Sequence, residues 1–347
     1  MRASFVALPL AAVFCCFPLA CAGTGPGTSG DGDGDGDGDM PPAGNVCTGG
    51  DYTFATPPAD PLLEDGSAPD WSCIGNPVVV GPGTTATVEG CIEIFGIGSK
   101  SKPGIRLAVF SRDQDPSTDT PTYGEVEVAV AAQAGPLQEL ARDCDSEGYY
   151  RIEGIPTHEP LIWKVYDSDV GAQKVAIDTY SYDIFFLNDE VEEGVIDYEA
   201  NLIYRSTYDS IPTLGGKRVD GQADISDGVG RSVIAGEVHD CNDDLVTNAV
   251  VISDMSDTET VTRYFNGDQD DPQPDLTITA TNTDGLYMHL NATTDPGVNA
   301  HTVAAGVLDT DCEGDDCQCL TVGLSTVLTF PDSVSIITLV GDLPVVE

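Results

Sequence analysis

Positive charge is scarce in this chain. Its 347 residues carry 14 Lys and Arg against 58 Asp and Glu, a formal net charge of −44. The basic footprint that nucleic-acid binding needs is missing, and so is a cationic patch able to hold the chain on anionic lipid by charge alone. No lysine follows Lys217. Histidines number four, His158, His239, His289 and His301. None sits in an HExxH pattern, and neither GxSxG nor a Walker-type phosphate loop occurs. Carboxylate pairs are so common in so acidic a chain that they do not single out a glycosidase-like acid and base. No long window shows the 3–4 residue spacing of an amphipathic helix. Aromatic residues are 7% of the chain, little encouragement for a row of exposed rings stacking on sugar. The acids spread along the whole length and read as a solvated surface rather than a divalent-cation site.

The chain opens with Met1-Arg2 and an apolar run from Ala3 to Phe17, too short to be a comfortable membrane span. It closes on Pro18-Leu19-Ala20-Cys21-Ala22-Gly23. Residues 1–20 are expected to be a signal peptide. The small residues ahead of Cys21 resemble the bacterial lipoprotein signal, which implies a lipidated Cys21 as mature N-terminus. Pro18 stands where that family prefers Leu, so secretion with cleavage near Ala20 or Ala22 is the alternative. Residues 21–45 hold the run DGDGDGDGD from Asp31 to Asp39, which has nothing to bury and reads as a disordered tether. Such a coil spans about 25–30 Å, and more under like-charge repulsion. Asp31, Asp33, Asp35 and Gly36 match the start of an EF-hand loop, but Pro42 falls where the bidentate Glu is required. The run resembles the spacer that follows the lipidated cysteine in myxobacterial surface lipoproteins.

Of 11 cysteines, Cys15 and Cys16 lie in the leader and Cys21 would carry lipid. The rest are Cys47, Cys73, Cys91, Cys144, Cys241, Cys312, Cys317 and Cys319. An even set in an exported chain argues for disulfides. The rival is a metal site in DTDCEGDDCQC, whose irregular spacing and missing adjacent His do not suit zinc. Connectivity is open from sequence; the pairing expected is Cys47 with Cys73, Cys91 with Cys144, and Cys241 with one of Cys312–Cys319.

Residues 46–84 are rich in Pro and Gly and read as an irregular segment, pinned by Trp71 and Cys73 onto the first domain. From there the pattern is strand after strand. TVEGCIEIF, Ile105 to Phe110, Glu125 to Val130, Tyr149 to Glu153 and Leu161 to Tyr166 alternate or run apolar between turn signals, followed by Tyr182 to Leu187 and Val195 to Tyr204. DCDSEGYYRIEGIP, Asp143 to Pro156, is a tight polar turn feeding a strand, with Tyr150 and Ile152 on one face and Tyr149, Arg151 and Glu153 on the other. Asp284-Gly285-Leu286-Tyr287 repeats it, and Val233 to Val238 repeats the VEG strand. Strands are further expected at Val246 to Ser253, Arg263 to Phe265, Leu276 to Ala280, His301 to Val307, Leu320 to Phe330 and Ser335 to Val340. The fold class expected is all-β: two tandem small β-sandwich domains, 85–229 with its C-terminal connection and 230–347. Across Ala86 to Tyr166 the order of VEG, PGIRLAVF and DSEGYYRIEGIP resembles the carboxypeptidase regulatory-like, transthyretin-like sandwich.

Tyr149, Tyr150 and His158 echo the iron-binding Tyr and His set of intradiol dioxygenases, but a second His at suitable spacing is missing. The acidic loops Asp113–Asp119, Asn266–Asp275 and Asp309–Asp316 read as solvated turns, with loop-bound calcium as the lesser alternative. Lys164 is the one lysine on an expected strand. Alternation sets it opposite Trp163 and Val165, toward solvent, so no lysine isopeptide crosslink of the kind found in surface adhesins is expected. The functional expectation is a non-enzymatic lipoprotein of the outer membrane or cell surface, a structural, adhesive or binding module with no catalytic residue, metal or cofactor. Its partners would be the membrane through the N-terminal lipid and an unidentified surface protein or glycan. Alternatives are an accessory carbohydrate-binding protein of secreted hydrolases and an enzyme of unrecognised type. Digestion of the native protein without reductant should yield no free thiol among the eight mature cysteines; a stoichiometric free pair, or zinc by metal analysis, would restore the metal reading.

Overall fold

The computed structural model describes residues 46–95, 102–130, 144, 148–214, 230–254, 260–267, 272–309 and 318–346. A short hairpin comes first, β1 (Val46–Gly49) and β2 (Tyr52–Ala55), then β3 (Val79–Val80). The first half follows as β4 (Thr85–Phe95), β5 (Ile105–Ser111), β6 (Glu125–Glu127), β7 (Tyr149–Pro156), β8 (Leu161–Asp167), β9 (Ala176–Ile184), β10 (Val195–Asp197) and β11 (Ala200–Tyr204). Helix α1 (Arg205–Leu214) leads away from it. The second half is β12 (Ser232–Glu237), β13 (Val250–Ser253), β14 (Val261–Phe265), β15 (Pro274–Asp275), β16 (Leu286–Ala292), β17 (Ala300–Leu308), β18 (Cys319–Leu328), β19 (Ser333–Ile336) and β20 (Val345–Val346). The protein is an all-β, sandwich-like fold.

Both halves are wired alike. The Gly-bearing strand pairs antiparallel with the Tyr-bearing strand, β4 with β7 and β12 with β16. The next hairpin packs as β5-β8-β9 in one half and β13-β17-β18 in the other. The last strands return parallel to the Gly strand, β10 and β11 on β4, and β19 on β12. One contact explains the shared motif. Gly90 lies opposite Tyr150 and Gly236 opposite Tyr287. A Cβ on Gly90 would overlap the carbonyl of Tyr198, and one on Gly236 the carbonyl of Ile337. The Tyr150 hydroxyl donates to that same Tyr198 carbonyl at 2.6 Å, and the Tyr287 hydroxyl to the Ile337 carbonyl at 3.0 Å. The missing side chain lets the returning backbone in, and the buried phenol satisfies it.

The halves share a sheet. The outer edge of β9 is divided: Ala176 and Ile177 pair with β11, while Asp178 to Ser181 pair parallel with Ser333 to Ile336 of β19. Thr179 sits at the fork, fully buried, its hydroxyl accepting the Ile203 N–H at 3.1 Å. The ladder thus runs β6-β5-β8-β9-β19-β12-β16-β14-β15. On one side, β4 and β7 cover a core of Leu107, Val109, Tyr150, Ile152, Trp163 and Val165. On the other, β13-β17-β18 close over Phe110, Ile162, Tyr180 and Tyr182 from the first half and Ile234, Tyr264 and Tyr287 from the second. Strands β5 and β8 are therefore buried on both faces, which is why they read as continuous apolar runs. The face holding Lys164 is covered too, so the lysine is not in solvent as alternation suggested. Its Nζ meets Asp178 at 3.3 Å and lies over the rings of Tyr166 and Tyr180.

Local differences from the sequence expectation have identifiable causes. Strand β9 begins at Ala176 rather than Tyr182 because its polar run, Asp178 to Ser181, is buried in the ladder. Val195–Tyr204 splits in two where the Tyr198 carbonyl meets Gly90 and Tyr150. Leu276 to Ala280 is not a strand, and Leu276 is exposed. Helix α1 docks through buried Tyr208, whose hydroxyl donates to the Arg231 carbonyl.

The N-terminal segment folds onto the second half, not the first. Phe54 lies over Gly306 on the outer face of β17, Trp71 packs on the core beneath β13-β17-β18, and β3 pairs with β20. Replacing Tyr287 by Phe should lower unfolding free energy by about 1–2 kcal/mol, the cost of leaving the Ile337 carbonyl without its donor. Gly236→Ala should cost more, at least ~2 kcal/mol, since backbone must move. Urea unfolding at fixed pH measures both, and a Gly236→Ala variant as stable as wild type would disprove the close approach.

Candidate functional site

The cysteines form three nested loops: Cys47–Cys319 encloses Cys73–Cys241, which encloses Cys91–Cys144. Their Cα atoms lie 5.4, 5.7 and 5.4 Å apart, within normal bridging range. Cys91–Cys144 is the pair expected from sequence. The other two differ: Cys47 bonds Cys319 rather than Cys73, and Cys73 takes Cys241. The reason is the path of residues 46–80, which lie along the second half and so bring near cysteines to distant partners. Cys21, Cys312 and Cys317 fall outside the described residues.

The second bridge sits in a built junction. Asp240 is fully buried, and its carboxylate accepts N–H groups from Asp70 (2.8 Å), Asn242 (2.9 Å) and Asp244 (3.0 Å). The Cys241 N–H donates to the Asp70 carbonyl at 2.9 Å. Beside it, His239 is clamped between two carboxylates. Its Nε2 lies 2.9 Å from Glu237 and its Nδ1 2.7 Å from Asp243. Burial alone pushes this imidazole down, but the hydrogen bonds to Asp243 and Glu237 outweigh it and raise the pKa to about 10. The clamp escapes sequence reading because Asp243 reaches His239 only through the turn at positive-φ Asp243.

The other histidines are engaged in structure. Fully buried His289 meets the Thr262 hydroxyl at 2.8 Å through Nδ1, and its Nε2 is buried without a hydrogen-bond partner. Burial, helped by His301, depresses it to about 3. His301 Nε2 bonds the Thr293 carbonyl at 2.9 Å. His158 holds the Gly81 carbonyl through Nδ1 (2.7 Å) and accepts the Asn188 N–H through Nε2 (3.0 Å). With Gly83, Thr84, Thr157 and Glu159 it lines a shallow, open depression at the end of β7. Tyr149, Tyr150 and His158 do not converge: Tyr150 points into the core, while Tyr149 packs beside Cys144 on the other face.

Among the described residues no group of three or more His, Cys, Asp and Glu is arranged to hold a metal ion. In the Asp113–Asp119 loop the Asp115 carboxylate accepts the N–H and hydroxyl of Ser117, and the Asp119 carboxylate accepts the Asp115 N–H. Parts of the loops at 266–275 and 309–316 lie outside the described residues.

No family model matches the chain, and no curated protein matches it. Among solved structures it is similar to a point mutant of the major pilin from Streptococcus pyogenes, at 9% identity over 74% of this chain and 100% of that one, with a TM-score of 0.16. A likeness at that score carries no argument.

The two perturbed histidines give stability opposite pH limits. His239, raised from 6.5 to about 10, contributes stability that is full below pH 6.5 and is lost as pH rises toward 10. His289, depressed from 6.5 to about 3, must charge on unfolding, so stability is lost as pH falls from 6.5 toward 3. Urea midpoints should therefore show wild type losing its advantage over His239→Gln on the alkaline side, and losing ground to His289→Gln on the acid side. Parallel pH profiles for wild type and either variant would contradict the assignment for that histidine.

Proposed function

We propose that the protein is a non-enzymatic lipoprotein of the cell surface, anchored through lipid on Cys21, with the β-sandwich halves serving as a structural, adhesive or binding module. The observation that carries this reading is the disulfide framework. Three bridges need an oxidising compartment, which supports export and hence a cleaved leader ending at Cys21. The first bridge begins at Cys47, just past the expected tether, so the anchor would join a covalently closed body. The Gly, Tyr and returning-strand arrangement of both halves favours two copies of one exported sandwich, and the resemblance to the carboxypeptidase regulatory-like domain is proposed on the same residues. Outer-membrane placement goes with Ala22 after Cys21, since Asp there would favour retention at the inner membrane.

Cys21→Ser is the test. Wild type expressed with labelled palmitate should take up label and need detergent for extraction, because two or more acyl chains hold a protein firmly on a bilayer. The variant should lose both properties. A variant that still partitions with membranes would overturn the lipid anchor.

A further inference from the structure

Among the described residues, the internal repeat shows a strand position filled in one half and open in the other. In the second half, β14 lies along the outer edge of the Tyr strand, with Val261 to Tyr264 paired antiparallel to Leu290 to Tyr287. The equivalent strand in the first half is β7, since Tyr150 and Tyr287 hold the same place opposite Gly90 and Gly236. There, β6 turns away to pair with β5, and among the described residues only Tyr149 keeps an edge partner, exchanging both backbone hydrogen bonds with Ala129 at 2.8 Å. Alternation then points the N–H and C=O groups of Arg151 and Glu153 outward, away from β4. Positive-φ Gly154 and the register shift beyond Ile152 end the stretch. By that equivalence the four residues that β14 covers on β16, Tyr287 to Leu290, correspond to Tyr150 to Glu153 of β7.

The uncommitted charge beside this edge is acidic. Glu153 is exposed on β7 and Glu127 on neighbouring β6, while Arg151 is paired with Glu89 and Arg106 with Glu125. We propose that the outer edge of β7, from Arg151 to Glu153, is a docking site for an extended basic segment of a partner protein, added as a further antiparallel strand. Main-chain hydrogen bonds would supply affinity, and alternate lysines or arginines over Glu153 and Glu127 would supply selectivity. This deepens the reading of the chain as a binding module and is independent of the lipid anchor.

The probe is a fluorescein-labelled peptide of alternating lysine and valine, titrated into the full-length protein by fluorescence anisotropy. Saturable binding that weakens with salt is expected. Glu153→Pro removes one outward N–H without touching the β4 ladder and should weaken binding about tenfold, the size of one lost backbone hydrogen bond. Glu153→Lys should weaken it and flatten its salt dependence. Hydrogen exchange of wild type gives a readout that needs no variant to fold: the Arg151 and Glu153 amides should be unprotected alone and protected with peptide. Amides protected before peptide is added would show that this chain fills its own edge, and would overturn the proposal. So would saturable binding that leaves those amides exchanging freely, or no binding at all. A failed titration alongside intact acylation of Cys21 would remove the docking site and leave the surface lipoprotein reading standing.

Discussion

Strand β9 has one free edge and gives it to two neighbours. Antiparallel β11 takes the first two residues and closes the first sandwich on itself; parallel β19 takes the next four and carries the sheet onward. Parallel pairing between strands so far apart in sequence has a large loop-closure cost, so the contact must be held by what surrounds it. The Thr179 hydroxyl accepts the N–H at the fork. Tyr180 and Tyr182 bury their rings under β13-β17-β18, and Ile177 packs with Val233, Met288 and Val334 on the opposite face. Without those four rungs, the common core over Phe110, Ile162, Ile234 and Tyr287 would have no floor. The two halves are thereby layers of one body with a common core.

The few cations are placed where they tie strands and halves together. Lys102 bridges Asp167 and Asp169 at 2.8 and 2.6 Å, Lys164 and Lys174 converge on Asp178, and Arg112 joins Asp183 of the first half to the Thr326 carbonyl of the second. Asp167 shows how the acids are handled. Burial works against its charge, yet Lys102 and the N–H groups of Asp169 and Val175 hold its pKa below the usual carboxylate value. Pairs nearer the surface, such as Arg106 with Glu125 and Arg151 with Glu89, are worth little individually. Repulsion within so acidic a chain is met by packing and covalent bridges more than by ion pairs.

What sequence revealed and what it hid follow one physical division. The Gly and Tyr strands were readable because period-two alternation reports a face in water, and Tyr150 and Ile152 against Arg151 and Glu153 is such a pattern. Strand β9 was misplaced because Asp178, Thr179 and Ser181 look like a loop until a neighbouring sheet satisfies them. The Cys91–Cys144 bridge was legible because its ends lie in one sandwich. The bridges from Cys47 and Cys73 were not, since the path of the leading segment across the second half is a tertiary fact with no local signature. The His239 clamp and the forked edge of β9 are likewise made by side chains and backbone that meet only after folding.

The outermost bridge has a mechanical meaning. A pull entering along the N-terminal segment reaches Cys47 and crosses the sulfur–sulfur bond to Cys319, 272 positions further along the chain. Tension passed on through the chain beyond Cys319 then bypasses everything enclosed by the loop. The lock of Tyr150 and Gly90 on the Tyr198 carbonyl lies inside that loop, as does the whole of the first half, whereas the lock of Tyr287 and Gly236 closes on Ile337, beyond Cys319. A body loaded through its leading segment keeps its first sandwich unstretched, and reduction of this one bond would hand the load to Cys73–Cys241, which still encloses the whole first half.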